Sequence, residues 1–348
     1  MPDQQLHRRR LGGLALALLW AVLLAVGLAA GSQGLVWPLG LAQDPALRTI
    51  VFEIRLPRTL GAGLVGALLG LAGALAQGLF RNPLADPYLL GTAAGSSVAV
   101  VAVLAAGQAL TAGVAVAGYA PAWDLWQTLR QVADAGIVAA AFAGALLGMG
   151  LTLSLARGAS HTPRLLLAGV VVGVMLLAVG DLLTTAFPEV LRSRQGFLLG
   201  STAYLGWSSV AWLGAGLALV LPLAWRMARV LDALALGEDG ALSLGLDVAL
   251  LRLILVGALC LATALAVSQA GLVAFVGLVA PHIVRRSISA SHGTLLLCSA
   301  ATGGALLLAA DLAARTLVAP QELPVGVLTA VMGGGYLLRL LRRQGARW

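Results

Sequence analysis

RLPRTLGAGLVGALLGLAGALAQGLFRNPLADPYLLGTAAGSS, residues 55–97, opens on two arginines and then carries no charge from Thr59 to Phe80. A helix needs about 20 consecutive apolar residues to cross a bilayer. Gly66 and Gly70 stand four apart, a spacing that lets two helix backbones approach where lipid gives no hydrophobic drive between them. Asn82-Pro83 and Asp86-Pro87 then rule out continuous helix and fix a rigid turn before the chain becomes apolar again. The stretch predicts two membrane helices joined by a tight turn.

The rest of the chain repeats this pattern. Of its 348 residues, 60% are hydrophobic and 10% charged, and the mean hydropathy is +0.96. A soluble domain carries about 25% charge. Ten apolar segments are expected, at roughly 11–31, 59–79, 89–107, 136–156, 165–187, 208–225, 251–269, 271–284, 294–314 and 325–341. Membrane barrels show weaker alternating segments of about 10 residues, and that pattern is absent. The expected fold class is therefore all-α and polytopic. The first segment follows His7–Arg10 and exceeds the length of a signal-peptide core, which favours a retained helix. The eighth is short and contains Pro281, so it is not expected to cross as one regular helix. No soluble domain separates from the whole, and residues 1–348 read as one transmembrane domain. A short tail (1–10), the segment 226–250 and a second tail (342–348) lie on the cytoplasmic side.

Charge sets the orientation. With the N-terminus inside, Arg8, Arg9, Arg10, Arg81, Arg157, Arg164, Arg226, Arg229, Arg252, Arg285, Arg286, Arg339, Arg342, Arg343 and Arg347 fall inside. Arg48, Arg55, Arg58, Arg130, Arg192, Arg194 and Arg315 fall outside. The excess supports cytoplasmic N- and C-termini and leaves the outside arginines as exceptions. The net charge of +8 is spread between apolar segments, which argues against nucleic-acid binding. There is no lysine; all 22 basic residues are arginine. The chain thus has no Walker A lysine and no Schiff-base lysine. If ATP powers transport, another chain binds the nucleotide. Cys260 and Cys298 lie in apolar runs and read as small buried residues. No His, Cys, Asp and Glu cluster has metal-ligand spacing, and no cofactor or catalytic constellation is expected.

Three further stretches are specific. In ALGEDGALSLGLDVALLR (235–252), glycines at 237, 240 and 245 interrupt helical spacing and acids cluster between them. Two short amphipathic helices with a tight bend fit this pattern. Their acidic polar face suits a protein partner better than an anionic lipid surface. GLVAFVGLVAPHIVRR (271–286) and ADLAARTLVAPQELPVGVLTAVMGGG (310–335) complete the set. Asp311 precedes Arg315 by one helical turn, a spacing that permits a local ion pair. Asp181, near the outer end of the fifth span, should face a water-filled cavity or a hydrogen-bonding neighbour. Trp123, Trp126, Leu129 and Val132 share a helical face, which suggests a short interfacial helix in the outer gap. Gly144 with Gly148 and Gly169 with Gly173 repeat the small-residue spacing.

Together RLPR, RNPLADPYLLG, LGEDGALSLGLDV, GLVAFVGLVAPHIVRR and ELPVGVLTAVMGG resemble, in order and spacing, the permeases of type II ABC importers. That family takes up ferric siderophores, haem and cobalamin. The resemblance runs from about residue 50 to 343 and implies a ten-span subunit of the inner (cytoplasmic) membrane, paired with a second permease subunit. It implies cytoplasmic ATPase subunits that dock on Glu238, Asp239, Gly240 and Gly245. It implies a cytoplasmic gate at Asn82 and Leu84 on one turn and Thr162 and Pro163 on another. It also implies that a periplasmic substrate-binding protein docks on Arg55, Arg58 and Arg315, which are then expected as an exposed basic patch. Three features depart from the family: a longer outer segment at 108–135, Pro163 in place of a small polar residue, and Tyr336 after the last-span glycines. A secondary transporter driven by an ion gradient is the alternative. It would place several ionisable residues or broken helices at mid-membrane, and here only Asp181 and Asp311 offer themselves, neither central.

Overall fold

The computed structural model describes residues 2–32, 34–35, 44–116, 123–158, 162–243, 245, 247–288 and 291–345. Helix α1 (Pro2–Ala29) leads into a minimal antiparallel ribbon, β1 (Ala30–Gly31) against β2 (Gly34–Leu35). The chain continues through α2 (Pro45–Thr49), α3 (Leu56–Leu79), α4 (Thr92–Val116), α5 (Trp123–Ala156), α6 (Thr162–Ala186) and α7 (Leu191–Leu199). Then follow α8 (Trp207–Arg226), α9 (Ala228–Ala235), α10 (Glu238–Ser243), α11 (Val248–Ala270), α12 (Val276–Ser287), α13 (His292–Thr316) and α14 (Val325–Gly345).

Among the described residues, eight helices are long and apolar enough to cross a membrane. They match the ten expected segments except the eighth and tenth. α12 has 12 residues, which at about 1.5 Å per residue span roughly 18 Å of a roughly 30 Å core. It starts after a break at 271–275, where Gly271 and Phe275 both take positive φ. α14 keeps an apolar stretch from Val325 to Leu340 that already contains Arg339. The second span begins earlier than expected. Pro45–Leu79 is continuously helical, with a π-helical segment at Ile50–Arg55 between α2 and α3. The outer gap also differs from its expectation. Trp123 opens the 34-residue α5 and does not sit on a separate short helix. The side chains of Trp123, Trp126, Leu129 and Val132 lie outside the described set.

α3 is the central strut. It packs against α13, α11, α12 and α8, and nearly all its residues are buried. Glycine permits this. A Cβ on Gly66 would sit 2.3 Å from the Gly303 carbonyl, and one on Gly70 would sit 2.2 Å from the Ser299 carbonyl. α4 and α5 meet in the same way, through Gly95, Gly144 and Gly148. Gly169 packs on the Leu89 carbonyl, whereas Gly173 faces open space and completes no such face.

The bundle has two distinct ends. At one, the C-terminus of α3 meets α9 and the start of α13: Gly78 lies against Leu231 and His292. At the other, the start of α3 meets the end of α13, where Arg58 bonds Asp311. These are called the α9 end and the arginine end.

Candidate functional site

At the arginine end, the three expected docking arginines are not exposed. Arg55, Arg58 and Arg315 retain 7%, 8% and 1% of their surface. The reason is internal pairing. Arg58 donates from Nε and Nη2 to Asp311 Oδ1 at 3.1 and 3.0 Å, and from Nη1 to both Glu322 oxygens at 3.0 and 2.8 Å. Arg315 donates to Asp311 Oδ2, its i−4 neighbour, as the spacing anticipated. It also donates to the Gly27 carbonyl and to Thr59 Oγ1. The Thr202 hydroxyl donates to Asp311 Oδ1 at 2.6 Å. Two cations and two anions balance. Buried charges persist only when paired and hydrogen-bonded; this cluster pairs its charges by joining α3, α13, the 317–324 connection and the loop after α7, and among the described residues leaves the buried Arg315 Nε without an acceptor.

Arg55 acts differently. It donates to the carbonyls of Leu28, Ala29 and Gly34. The last turn of α1 leaves carbonyls without helical partners, and a guanidinium from the second span satisfies them. On α6, Asp181 takes the second of its two expected situations: a bonding neighbour, Arg194 of α7, at 2.6 Å. Arg194 also donates to Thr184 Oγ1. The sequence reading missed α7 because Leu191–Leu199 is short and polar enough to pass for loop. At its far end, Gly200 and Gly326 bring backbone against the Leu272 carbonyl in the α11–α12 break.

A cavity of about 1600 Å³ opens beside this cluster. Its lining mixes polar side chains, among them Arg58, Ser201, Thr202, Tyr204, Ser209 and Glu322, with apolar ones, among them Leu104, Ile137, Phe142, Trp212 and Leu265. Among the described residues, no group of three or more His, Cys, Asp or Glu side chains lies close enough to bind a metal ion.

At the α9 end, the segment between α8 and α11 folds as two short helices. Gly237 (φ 111°) and Gly245 (φ 73°) take left-handed conformations at their ends, a region that L side chains enter only at a cost. α9 buries Leu231 and Leu234 and is pinned by Asp232, which accepts from the His292 backbone N–H. Leu236 and Leu242 stay 77% and 58% exposed, outside any candidate span. The Glu238 and Asp239 side chains lie outside the described set; Gly240 sits within α10.

The 80–91 turn packs its helical part, Pro87–Leu90, against α6. Asn82 Oδ1 accepts from Leu84 N–H and Asp86 Oδ1 from Tyr88 N–H. Leu84 is 53% exposed. Burial pushes the Asp86 carboxyl up to about 6, against the opposing pull of the Tyr88 N–H. Thr162 and Pro163 begin α6, so the two expected gate turns belong to packed neighbours.

Comparison with known proteins agrees with this architecture. Residues 14–343 match the FecCD transport family. The hemin transport system permease protein HmuU of Yersinia pestis is 38% identical over 308 residues, covering 86% of this chain and 85% of that one. The vitamin B12 import system permease protein BtuC of Klebsiella pneumoniae is 37% identical over 348 residues, covering 99% and 97%. A solved inward-facing structure of a metal-chelate type ABC transporter superposes with a TM-score of 0.77 at 27% identity, covering 95% of this chain and 98% of that one. A helix bundle centred on α3, broken between α11 and α12, with a near full-length match to such permeases, identifies the chain as a member of the FecCD transport family.

Proposed function

We propose that the chain is the permease subunit of a binding-protein-dependent ABC importer. With a second permease subunit, a second copy of itself, it encloses a pathway for a metal chelate across the inner membrane. The chelate is a ferric siderophore, haem or cobalamin. The observation that carries this reading is the α9–α10 unit. Two leucines, Leu236 and Leu242, stand exposed outside any candidate span, beside the glycine bends at Gly237 and Gly245. Exposed apolar side chains there call for a protein partner.

The partner is a cytoplasmic ATPase, which takes Glu238, Asp239, Gly240 and Gly245 with the leucines into its surface. The α9 end is then cytoplasmic, as are both termini. Asn82 and Leu84 with Thr162 and Pro163 form the cytoplasmic gate. The periplasmic binding protein docks on the opposite end, which Arg55, Arg58 and Arg315 organise. The chain performs no covalent chemistry. ATP binding and hydrolysis elsewhere shift the pathway between outward-open and inward-open populations.

The test is ATP hydrolysis in nanodiscs holding the chain and its ATPase. Chelate-loaded binding protein should raise the hydrolysis rate, and Leu236→Asp should abolish that rise while the bundle stays folded. A rate indifferent to the presence of the permease would remove the proposal.

A further inference from the structure

Arg58 holds two acids, and it holds them unequally. Asp311 is fully buried on α13, takes Nε and Nη2 of Arg58, and is held in addition by Thr202 and Arg315. Glu322 sits on the connection between α13 and α14. Its side chain is 29% exposed, and among the described residues its side-chain hydrogen bonds go to Arg58 alone, at Nη1. Both Arg58 and Glu322 line the cavity. Arg58 and Arg315 carry two positive charges, and Asp311 and Glu322 two negative ones. If the Glu322 carboxylate leaves, one positive charge stands uncompensated at the cavity rim, with a fork of donors that fits another carboxylate.

We propose that Glu322 is an internal stand-in for a carboxylate of the docking binding protein. This rests on the permease reading above. An Asp or Glu side chain of the binding protein takes over Arg58 Nη1, and Glu322 swings out with the 317–324 connection. Asp311 keeps its bonds, and the incoming carboxylate replaces the negative charge that Glu322 takes away. Docking is thereby an exchange of one carboxylate for another. The undocked permease shields its arginine, and the connection beside the cavity is released only when a partner arrives. Affinity from this contact is small by design, because each new bond replaces an old one.

The test uses the permease in nanodiscs and the binding protein that stimulates ATP hydrolysis with it. Glu322→Gln removes the competing charge and should tighten docking of the chelate-free binding protein by about two- to tenfold, with a steeper loss on adding salt. Glu322→Asp retains the charge and should dock like the wild type. In an Arg58→Gln background, Glu322→Gln should change nothing. Melting temperatures of all variants separate misfolding from docking, and Glu322→Ala, which also removes the competing charge, carries the same expected tightening if the amide variant is unstable. Docking that is unchanged or weaker in Glu322→Gln overturns the inference while leaving the permease reading intact. A gain confined to chelate-loaded binding protein also overturns it, assigning the incoming carboxylate to the cargo. If no binding protein docks on the wild-type permease or stimulates hydrolysis with it, the permease reading fails, and the inference with it.

Discussion

Asp311→Asn is the sharpest perturbation of the arginine end. The substitution keeps volume and one acceptor but removes the charge that Arg58 and Arg315 share. The amide nitrogen must face one of the donor groups that now point at a carboxylate oxygen: Arg58 and Thr202 at Oδ1, or Arg315 at Oδ2. Donor then meets donor in a site with no exposed surface on the acid. Removing one partner of a buried pair costs about 3–5 kcal/mol, and among the described residues Glu322 hydrogen-bonds to Arg58 and not to Arg315. Equilibrium unfolding in mixed micelles should therefore show a loss of about 3–5 kcal/mol, a factor of roughly 10²–10⁴ in the folded-to-unfolded ratio. Arg315→Gln alone should also destabilise. The double variant should lose less than the sum of the singles, by about 1 kcal/mol or more, because the second change removes the charge that the first left unpaired. A loss below about 0.5 kcal/mol for Asp311→Asn, of the size expected at ordinary surface positions, would refute the claim that this acid pairs with two buried arginines.

Other perturbations follow from the same geometry. Gly70→Ala forces a methyl to within 2.2 Å of the Ser299 carbonyl and should cost about 1–3 kcal/mol by overpacking; Gly173→Ala, which meets nothing within 4 Å, should be neutral or slightly stabilising in the same unfolding assay. Gly237→Ala, at φ 111°, should distort the bend before α10 and abolish stimulation of the ATPase while leaving binding-protein docking at wild-type strength. Arg55→Ala should speed amide exchange in residues 24–35 and spare the α3–α13 contact, since its hydrogen bonds go to the Leu28, Ala29 and Gly34 carbonyls. Burial pushes the folded Asp86 carboxyl up to about 6, above the usual carboxylate range. That group adds stability as pH falls from about 7 towards 4, so Asp86→Asn should flatten this part of a melting-temperature profile.

Much of this was legible from local pattern. The charge-free run after Arg58 announces α3, the prolines at 83 and 87 announce the turn, and Gly237 and Gly245 mark the limits of a short helix. The i, i+4 pair of Asp311 and Arg315 also follows from spacing alone. The fate of Arg58 could not be read in this way. Its partners lie 253 and 264 residues away along the chain, and no local periodicity encodes which distant acid folds over an arginine. A charge count assigns the arginine to a side of the membrane. It does not reveal that Asp311 and Glu322 cover it, so an expected basic patch proves to be a neutral, buried cluster. Arg55 misled for a similar reason: its partners are main-chain carbonyls, which every sequence contains and none advertises. α7 escaped because a polar nine-residue helix, held by Arg194 to Asp181 and Thr184, carries no span-length apolar signal.

The central claim is that energy for transport enters through a partner ATPase at the α9 end. Its most direct test is chelate uptake into proteoliposomes containing the chain, its ATPase and its binding protein. Uptake should require ATP on the α9–α10 side, stop with Leu236→Asp, and ignore imposed proton or sodium gradients. Uptake by the chain alone, driven by such a gradient without ATPase or ATP, would contradict the account.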